Sequence, residues 1–459
     1  MSERVERYDA VVVGARCAGA PLATHLARAG LDVALVDRAT FPSDTASTHI
    51  FQASGTAVLS RLGVVDRLLA TGAPWLEIAD FRLGDFAARI PWPTEPSDVG
   101  PGLCIRRPLL DTILVEAAQE AGATLHTATR VTDLVRQGQR VAGVVSRTDD
   151  GERRLLAPLV VGADGRSSRV GRLVGARTYN VVPNERFGYW AYYEGATWSA
   201  PASLLMLRWE DRFVTACPTD SGLYMVGILP PLSEFRSFSA AVEASYDNYV
   251  SGCDRLDDVL PGARRVTRPR GMASFSGFFR ESAGPGWVLL GDAGHFKDPS
   301  PGQGISDAFR QGERLAAAIV DAGGVAGATD EATSQWWRWR DRDAVGMHWF
   351  AHDLGAAGPV PIVLEEIVRG LSCEPDGLHR AIDVFNHRVL PAELLTPRRL
   401  FAAAGRELAS RRHPPATILD EVRTVVGRDL RRRWRNHFPL YADAATVPES
   451  DPAATVTEA

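Results

Sequence analysis

The chain has 459 residues, a hydrophobic content of 45% and a formal net charge of −5. This length predicts two or three units, and the acidic balance excludes a global basic field for binding nucleic acid. Five scattered cysteines without a CxxC pair argue against a disulfide framework or a zinc site. No apolar run reaches the ~18 residues that a bilayer span requires, so we expect a cytoplasmic protein with no membrane span.

The chain opens with an apolar strand, a helix and a second apolar strand. The strand pattern covers Asp9–Val13 behind a polar lead of Ser2–Arg7, helical periodicity covers Ala18–Ala29, and the second apolar run covers Asp32–Val36. Gly30 marks the end of the helix. This βαβ unit predicts two parallel strands in one sheet.

The turn after the first strand is the first candidate binding site. Gly14 and Gly19 stand in the GxGxxG register of dinucleotide-binding turns, but Arg16 takes the middle place. The helix start offers free N–H groups to a diphosphate, and Arg16 could serve as a charge clamp. An acidic residue that closes the second strand, here Asp37, accepts hydrogen bonds from a ribose hydroxyl. The predicted contacts are Gly14, Ala15, Arg16, Ala18, Gly19, Asp37 and Arg38.

The next part of the chain predicts helices and strands in turn. Gln52–Leu69 has the pattern of an amphipathic helix, Trp75–Ile90 of short strands, and Leu109–Ala121 of a strong helix. Two strands within 124–148 precede a second apolar segment, VVGADG, at Val160–Gly165.

Alternating, aromatic-rich runs between 187 and 229 then predict an antiparallel sheet, interrupted by a helical Phe238–Val250. Phe187, Tyr189 and Tyr193 share one face at strand spacing. We predict that this face floors an apolar substrate pocket, although the same residues would equally suit the core of a sheet.

A third apolar strand, Trp287–Gly291, ends in GDAGHFKDPSPGQG at Gly291–Gly304 and leads into a helix at Gly304–Asp321. From Ser334 onward the pattern is mostly helical. Three strand ends of this kind predict one sheet edge that holds a long dinucleotide, with its diphosphate at the first turn and its redox ring at the third. We therefore predict bound FAD and redox chemistry.

These motifs resemble those of the class A flavoprotein monooxygenases, which have the p-hydroxybenzoate hydroxylase fold. In the second motif Asp164, Gly165 and Ser168 match that family's Asp-Gly motif, whereas Gly171 replaces its usual arginine and Arg172 is next to it. The third motif is similar to the family's GDAxHxxxPxxGxG stretch. The resemblance covers roughly residues 8–345.

The resemblance implies FAD as the cofactor and NAD(P)H as a co-substrate. It implies that Asp164 organises the diphosphate and docks the nicotinamide nucleotide, that Asp292 binds a ribityl hydroxyl, and that Pro299 lies over the flavin ring. It places the N–H groups of Gly304 and Ile305 at the N1–C2 carbonyl edge, where a helix N-terminus stabilises negative charge. The other flavin contacts that we predict are His49, Arg107, Gly291, Gly302 and Gln303. His49 equally suits a loop position without a ligand.

The predicted fold class is α/β, with a Rossmann-like FAD-binding domain, an inserted antiparallel β-sheet substrate domain and a helical C-terminal region. The FAD-binding domain is discontinuous, at residues 1–74, 102–180 and 278–345. The substrate domain takes 75–101 and 181–277, the helical region takes 346–442, and a flexible tail takes 443–459.

The resemblance implies a monooxygenase with a small-molecule substrate and O2 as its partners. NAD(P)H would reduce the flavin, and O2 would add at the C4a carbon. The resulting hydroperoxide would hydroxylate an aromatic or otherwise electron-rich molecule. No metal is needed, and no residue is assigned a catalytic role because the flavin does the chemistry.

Three alternatives remain open. A reductase of the geranylgeranyl-reductase type would share the fold, although its YxWxFP element is absent. A flavin halogenase would need a WxWxIP motif and an upstream catalytic lysine, whereas the only lysine is Lys297. A non-catalytic flavin-fold protein would fit the departures at Arg16 and Gly171. The cluster RRRWR at 431–435 is interpreted as a solvated helix face rather than a nucleic-acid site.

Overall fold

The computed structural model describes residues 4–47, 49–326 and 328–442. Its helices are α1 (Gly19–Arg28), α2 (Ala53–Arg61), α3 (Val65–Leu69), α4 (Arg107–Glu120), α5 (Arg169–Leu173), α6 (Phe235–Ser239), α7 (Val242–Ser251), α8 (Gly304–Asp321), α9 (Thr329–Gly355), α10 (Ile362–Leu371), α11 (Gly377–Phe385), α12 (Pro391–Leu394), α13 (Pro397–Ser410) and α14 (Pro415–His437). Its strands are β1 (Arg4–Arg7), β2 (Ala10–Val13), β3 (Val33–Val36), β4 (Ile50–Phe51), β5 (Ile78–Leu83), β6 (Phe86–Pro91), β7 (Leu103–Cys104), β8 (Thr124–His126), β9 (Arg130–Gln137), β10 (Arg140–Thr148), β11 (Gly151–Leu156), β12 (Leu159–Gly162), β13 (Thr178–Val182), β14 (Gly188–Glu194), β15 (Ser203–Trp209), β16 (Arg212–Pro218), β17 (Tyr224–Ile228), β18 (Arg264–Arg265), β19 (Arg270–Met272), β20 (Gly277–Arg280), β21 (Ala283–Gly284), β22 (Trp287–Leu289) and β23 (His295–Phe296).

A parallel sheet forms the centre of the first layer. Its strand order is β21-β22-β12-β2-β3-β8, and every neighbouring pair is parallel except β21 with β22. Strands β2, β3 and β12 are buried along their whole length, as strands covered on both faces must be. The predicted βαβ unit is therefore β2-α1-β3.

Helices cover one face of this sheet, and a second small sheet covers the other. Helices α1, α4 and α8 share one apolar core with the central strands. The sheet β1-β11-β10-β9 packs on the opposite face through Val131, Leu134, Val141 and Val144. Strand β1 lies where we expected a polar lead, because it pairs in parallel with β11 through its backbone while its side chains stay largely exposed.

The aromatic-rich segment forms a separate sheet in the order β18-β14-β17-β16-β15-β5-β6, with β19 paired to β14. It is antiparallel as predicted, except that β5 pairs in parallel with β15. The segments near 75–101 and 181–277 therefore build one sheet together. The α/β class with a dinucleotide-binding layer, an inserted sheet and C-terminal helices is confirmed.

One predicted helix differs from the structure, one helix crosses a predicted domain boundary, and the predicted tail is not described. The predicted helix Gln52–Leu69 is two helices, α2 and α3, because the chain turns at Gly63 with φ 73°. Helix α9 runs across the boundary that we predicted at 345/346. The predicted tail at 443–459 lies outside the described residues. Among the described helices, none is both long enough and apolar enough to cross a bilayer.

Candidate functional site

A cavity of about 1730 Å³ lies at the carboxyl edge of the central sheet. The loops that follow β2, β12 and β22 all reach its wall, as expected where parallel strands end. Most of the predicted contacts line it, namely Gly14, Arg16, Ala18, Asp37, Arg38, Arg107, Asp164, Gly291, Asp292, Pro299, Gly302, Gly304 and Ile305. The three motifs thus meet at one site.

The turn after β2 has room for an anion, but the position of Gly14 has no room for a side chain. Gly14 has φ 105°, and a Cβ there would lie 2.3 Å from the carbonyl oxygen of Ala163. The N–H groups of Arg16, Cys17 and Ala18 donate to no acceptor within the described residues. Such free N–H groups ahead of a helix form an anion site.

Two guanidinium groups share one buried carboxylate beside this turn. Arg16 Nη1 donates to Asp111 Oδ2 at 2.7 Å, and Arg107 Nε donates to Asp111 Oδ1 at 3.0 Å. Asp111 is fully buried. One carboxylate for two guanidinium groups leaves about one positive charge at the cavity wall. This surplus positive charge can attract an anion at the turn where Arg16 stands in place of a middle glycine.

Asp37 holds the first turn and faces the cavity. Its Oδ2 accepts a hydrogen bond from the N–H of Ala15 at 2.9 Å, and its Oδ1 accepts one from the N–H of Ala39 at 2.8 Å. Each carboxylate oxygen keeps a further lone pair. The residue can therefore fix the turn and accept from a ribose hydroxyl at the same time.

Asp164 of the second motif caps a helix. Its Oδ2 accepts from the N–H of Arg169 at 2.6 Å and of Val170 at 3.1 Å, and its Oδ1 accepts from Ser168 Oγ at 2.5 Å. Burial raises the pKa of this carboxyl despite those hydrogen bonds. Asp164 thus stabilises the start of α5 through these hydrogen bonds, which require no ligand.

Several arginines of the cavity wall lack an acidic partner among the described residues, and Arg166, Arg172 and Arg280 are three of them. Arg280 donates to the carbonyl oxygens of Ala293 and Arg166, both at 2.9 Å, and is itself buried. Neither it nor Arg166 nor Arg172 forms an ion pair with a described carboxylate. Burial lowers the pKa of Arg280 to about 10. Sequence reasoning noted Arg172 alone, because Arg280 comes from β20, in the segment between the motifs.

The third motif presents a carboxylate and a helix start to the cavity. Burial raises the pKa of Asp292 to about 6, although the charges of Arg107 and Arg166 act against this rise. Asp292 accepts no hydrogen bond from the described residues, so its oxygens are available to a ligand. The N–H groups of Gly304 and Ile305 at the start of α8 likewise meet no acceptor there.

Lys297 lies in the same loop and is engaged within the protein. Its Nζ is 2.5 Å from Asp307 Oδ2 and donates to Gln303 Oε1 at 2.8 Å. His387 Nδ1 is 3.1 Å from the other oxygen of Asp307. Burial opposes the ionisation of Asp307, but Lys297 and His387 hold its pKa well below the ordinary value. Lys297 thus joins the third motif, through Asp307, to the segment between α11 and α12.

Four predicted contacts lie behind the cavity wall. Ala15 and Gly19 form the back of the first turn, and Gln303 Nε2 donates to the carbonyl oxygen of Val384 at 2.7 Å. His49 is buried, and its Nε2 is 3.1 Å from Tyr192 Oη. Burial, aided by Arg107, lowers the pKa of His49 to about 3. This ring is neutral and does not reach the wall.

The inserted sheet lines an apolar chamber at the other end of the cavity, mainly with the face opposite to the predicted one, and Tyr189 is the one predicted pocket residue that reaches it. Phe187 and Tyr193 lie in the core between the sheet and helices α6 and α7. Tyr189 reaches the wall, together with the neighbouring side chain of Trp190. The rest of the chamber comes from adjacent strands, with Leu204, Met206, Thr215 and Met225.

These features fit FAD. The first turn and its surplus positive charge suit a diphosphate, Asp37 suits a ribose, and the free N–H groups of α8 suit an electron-rich carbonyl edge. A dinucleotide of this kind would span from Asp37 to Pro299 and leave the apolar chamber for a substrate.

Comparisons with known proteins agree with this assignment. A family model described as an FAD binding domain matches residues 7–329. Menaquinone reductase of Mycolicibacterium smegmatis is 32% identical over 70% of this chain and 78% of that protein. 6-Methylpretetramide 4-monooxygenase of Streptomyces rimosus is 29% identical over 66% of this chain and 72% of that protein. The solved structure of the flavin-dependent brominase Bmp2 has the same fold, with a TM-score of 0.71 at 20% identity over 88% of this chain and 100% of that one.

Proposed function

Because the chain belongs to the FAD binding domain family of class A flavin monooxygenases and halogenases, we propose that it is a NAD(P)H-dependent monooxygenase. As an FAD-dependent oxidoreductase of that family, it would use O2 to hydroxylate an apolar aromatic or otherwise electron-rich small molecule. FAD, when bound, supplies hydride acceptance and oxygen activation.

The apolar chamber is the observation that carries this proposal. Its wall beside the flavin loop includes Trp190, Leu204, Met206 and Met225, and two lining residues, Tyr189 and Thr215, carry hydroxyl groups. A wall of mostly apolar side chains beside the flavin loop limits the access of water there and so protects a reactive oxygen species from side reactions. The same walls select an apolar substrate and orient it through one or two hydroxyls.

Each polar group of the site has a separate task in this proposal. Arg16 and Arg107 neutralise the diphosphate, and Asp292 accepts from a ribityl hydroxyl. The N–H groups at the start of α8 stabilise negative charge at the N1–C2 edge. The halogenase alternative lacks support within the site, since Lys297 is already paired with Asp307.

Three arginines without acidic partners among the described residues support NAD(P)H as the electron donor. Arg166, Arg172 and Arg280 present guanidinium groups to the cavity wall near Asp164. Guanidinium groups recognise phosphate oxygens with two parallel hydrogen bonds. Arg172 next to Gly171 takes over the task of the arginine that the family pattern has at the neighbouring position.

A reductase is the second candidate, because menaquinone reductase is 32% identical over most of its length. The apolar chamber would equally hold a long apolar molecule. One carbon of a C=C bond in that molecule would then receive hydride from reduced FAD. Tyr189 Oη, which has no hydrogen-bond partner among the described residues, would donate a proton to the other carbon, so that the double bond becomes single.

One experiment distinguishes a monooxygenase from a reductase by whether an oxygen atom from O2 enters the product. The FAD-loaded protein is reduced without air by NADPH and by NADH, then mixed with isotopically labelled O2 and panels of apolar phenols and isoprenoid quinones. A product that carries one labelled oxygen atom supports the monooxygenase. A product that gains two hydrogens and no label supports the reductase. A flavin that neither nucleotide reduces contradicts both and leaves a non-catalytic protein.

A further inference from the structure

Helix α14 is attached to the protein along one side. Ile418 is buried, and Glu421 accepts hydrogen bonds at 3.1 and 3.0 Å from N–H groups at the start of α10. Arg428 and Arg432 both pair with Asp353 of α9, at 2.9 and 2.6 Å. These contacts fix the rotation of the helix, so its outer side is defined.

That outer side carries large apolar side chains. Leu419, Val426, Leu430 and Trp434 follow at intervals of seven, four and four residues, which places them along one side of a helix. Phe438 continues the row, with its ring centroid 5.7 Å from that of Trp434. All except Val426 are more than half exposed. We call these five residues the α14 face, and contiguous exposed apolar surface of this kind marks an interaction site.

Unpaired positive charge flanks the α14 face. The side chains of Arg423, Arg431 and Arg435 have neither a carboxylate partner nor a hydrogen bond in the part of the chain that the structure describes. Arg433 is paired with Asp429, and Asp420 near the start of the helix remains as an exposed acid. The chain as a whole carries −5, so this basic surface is a local feature.

We propose that the α14 face binds the surface of an anionic lipid bilayer. Arginines beside a row of leucines with an interfacial tryptophan are the composition of helices that lie in the headgroup region. A second copy of the chain would bring the same unpaired arginines against each other, whereas anionic headgroups neutralise them. The helix would lie on the bilayer and not span it.

The segment that follows helix α14 connects the α14 face with the cavity. After α14 the chain pairs with β13, where Asn180 donates to the carbonyl oxygen of Leu440 at 3.0 Å. Tyr441 and Ala442 then form part of the cavity wall. A bilayer bound to the α14 face would therefore lie beside the same cavity that holds the proposed substrate.

Vesicle co-sedimentation of the FAD-loaded full chain tests the proposal. The wild type is expected to pellet with vesicles of phosphatidylcholine and phosphatidylglycerol, to stay in solution with phosphatidylcholine alone, and to be released by high salt. The double variant Arg431→Gln/Arg435→Gln should bind about 25-fold more weakly, at about five-fold for each arginine. Leu430→Ser/Trp434→Ser should also lose binding.

The matched control changes one exposed leucine and one exposed arginine elsewhere, as Leu232→Ser/Arg236→Gln. It should bind like the wild type, and retained flavin absorbance shows that each variant is folded. Equal binding by all variants, or no binding by the wild type, would overturn the proposal. A wild-type dimer that the Leu430→Ser/Trp434→Ser variant converts to a monomer, without vesicle binding, would assign the face to a second copy instead. Binding is measured without turnover, so the result is independent of the proposed function.

Discussion

Asp292 is the carboxylate of the site with no hydrogen bond from the described residues. We expect Asp292→Ala to weaken FAD binding by roughly 10- to 100-fold, because a hydrogen bond to a charged group contributes about 1.5–3 kcal/mol. Titration of the FAD-stripped protein by flavin absorbance measures this change. Asp257→Ala, at an exposed position far from the cavity, is the matched control. If the purified Asp292→Ala protein retained full yellow colour, the placement of the third motif would be wrong.

Asp298 makes stability depend on pH. Burial raises the pKa of this carboxyl to about 6, although Ser300 donates to it and Arg186 is nearby. A raised pKa stabilises the fold below the unfolded pKa near 3.8, and this contribution is lost as pH rises through 6. At pH 7 the ionised group therefore costs at most about 3 kcal/mol.

We expect Asp298→Asn to raise the free energy of unfolding at pH 7 and to leave it unchanged at pH 4. The asparagine keeps the oxygen that accepts from Ser300 and removes the buried charge. Urea unfolding of the FAD-stripped protein at both pH values measures the effect. An equal difference at the two pH values would show that the charge of Asp298 is not its cause.

At the scale of elements, side chains on opposite faces of the segment 187–190, at the start of β14, lead to two different predictions for their variants. Phe187 packs in the core against Phe235 and Phe238, with ring centroids 5.2 and 5.0 Å apart. Phe187→Ala should cost roughly 3–5 kcal/mol of stability through the cavity it leaves. Trp190→Ala should instead raise the KM for an apolar substrate and change stability less, because Trp190 lines the chamber. Thermal unfolding and steady-state kinetics of both variants separate the two roles, and a KM effect confined to Phe187→Ala would contradict the assignment.

The sequence predicts the elements that have strong local patterns. The ends of β2, β3 and α8 follow from apolar runs and glycines, and the motifs that they carry meet at one edge because parallel strands end together. Period-two alternation correctly grouped Phe187, Tyr189 and Tyr193 on one face. It does not predict the packing of α6 and α7, which places Phe187 and Tyr193 in the core and leaves only Tyr189 of this face at the cavity wall.

Local sequence patterns likewise do not identify residues whose partners lie far away in the chain. Asp111 lies in the second turn of α4, yet it orients Arg16, which lies in a turn almost a hundred positions earlier in the chain. Arg280 follows two phenylalanines in β20 and has no motif of its own. The positive charge of the site is therefore visible only once the three strand ends and β20 are assembled.

At the scale of the whole molecule, the end of the described chain forms part of the cavity wall. Asn180 and Thr178 of β13 pair through their backbones with Leu440 and Ala442, at 3.0 and 2.8 Å. The Arg177 guanidinium lies 4.3 Å from the ring centroid of Tyr441. Two backbone hydrogen bonds and a cation–π contact contribute about 2–3 kcal/mol, which holds this segment over the wall.

A chain that ends at His437 should therefore release FAD roughly ten-fold or more faster than the full chain, because the local opening of this wall no longer has to break those contacts. A chain that ends at Ala442 keeps all of them and is the matched control. Stopped-flow measurement of flavin release into excess scavenger protein gives both rates. Equal rates for the two truncated chains would mean that the ligand leaves past the loops of the central sheet, and that the C-terminal segment shapes the substrate chamber without retaining the cofactor.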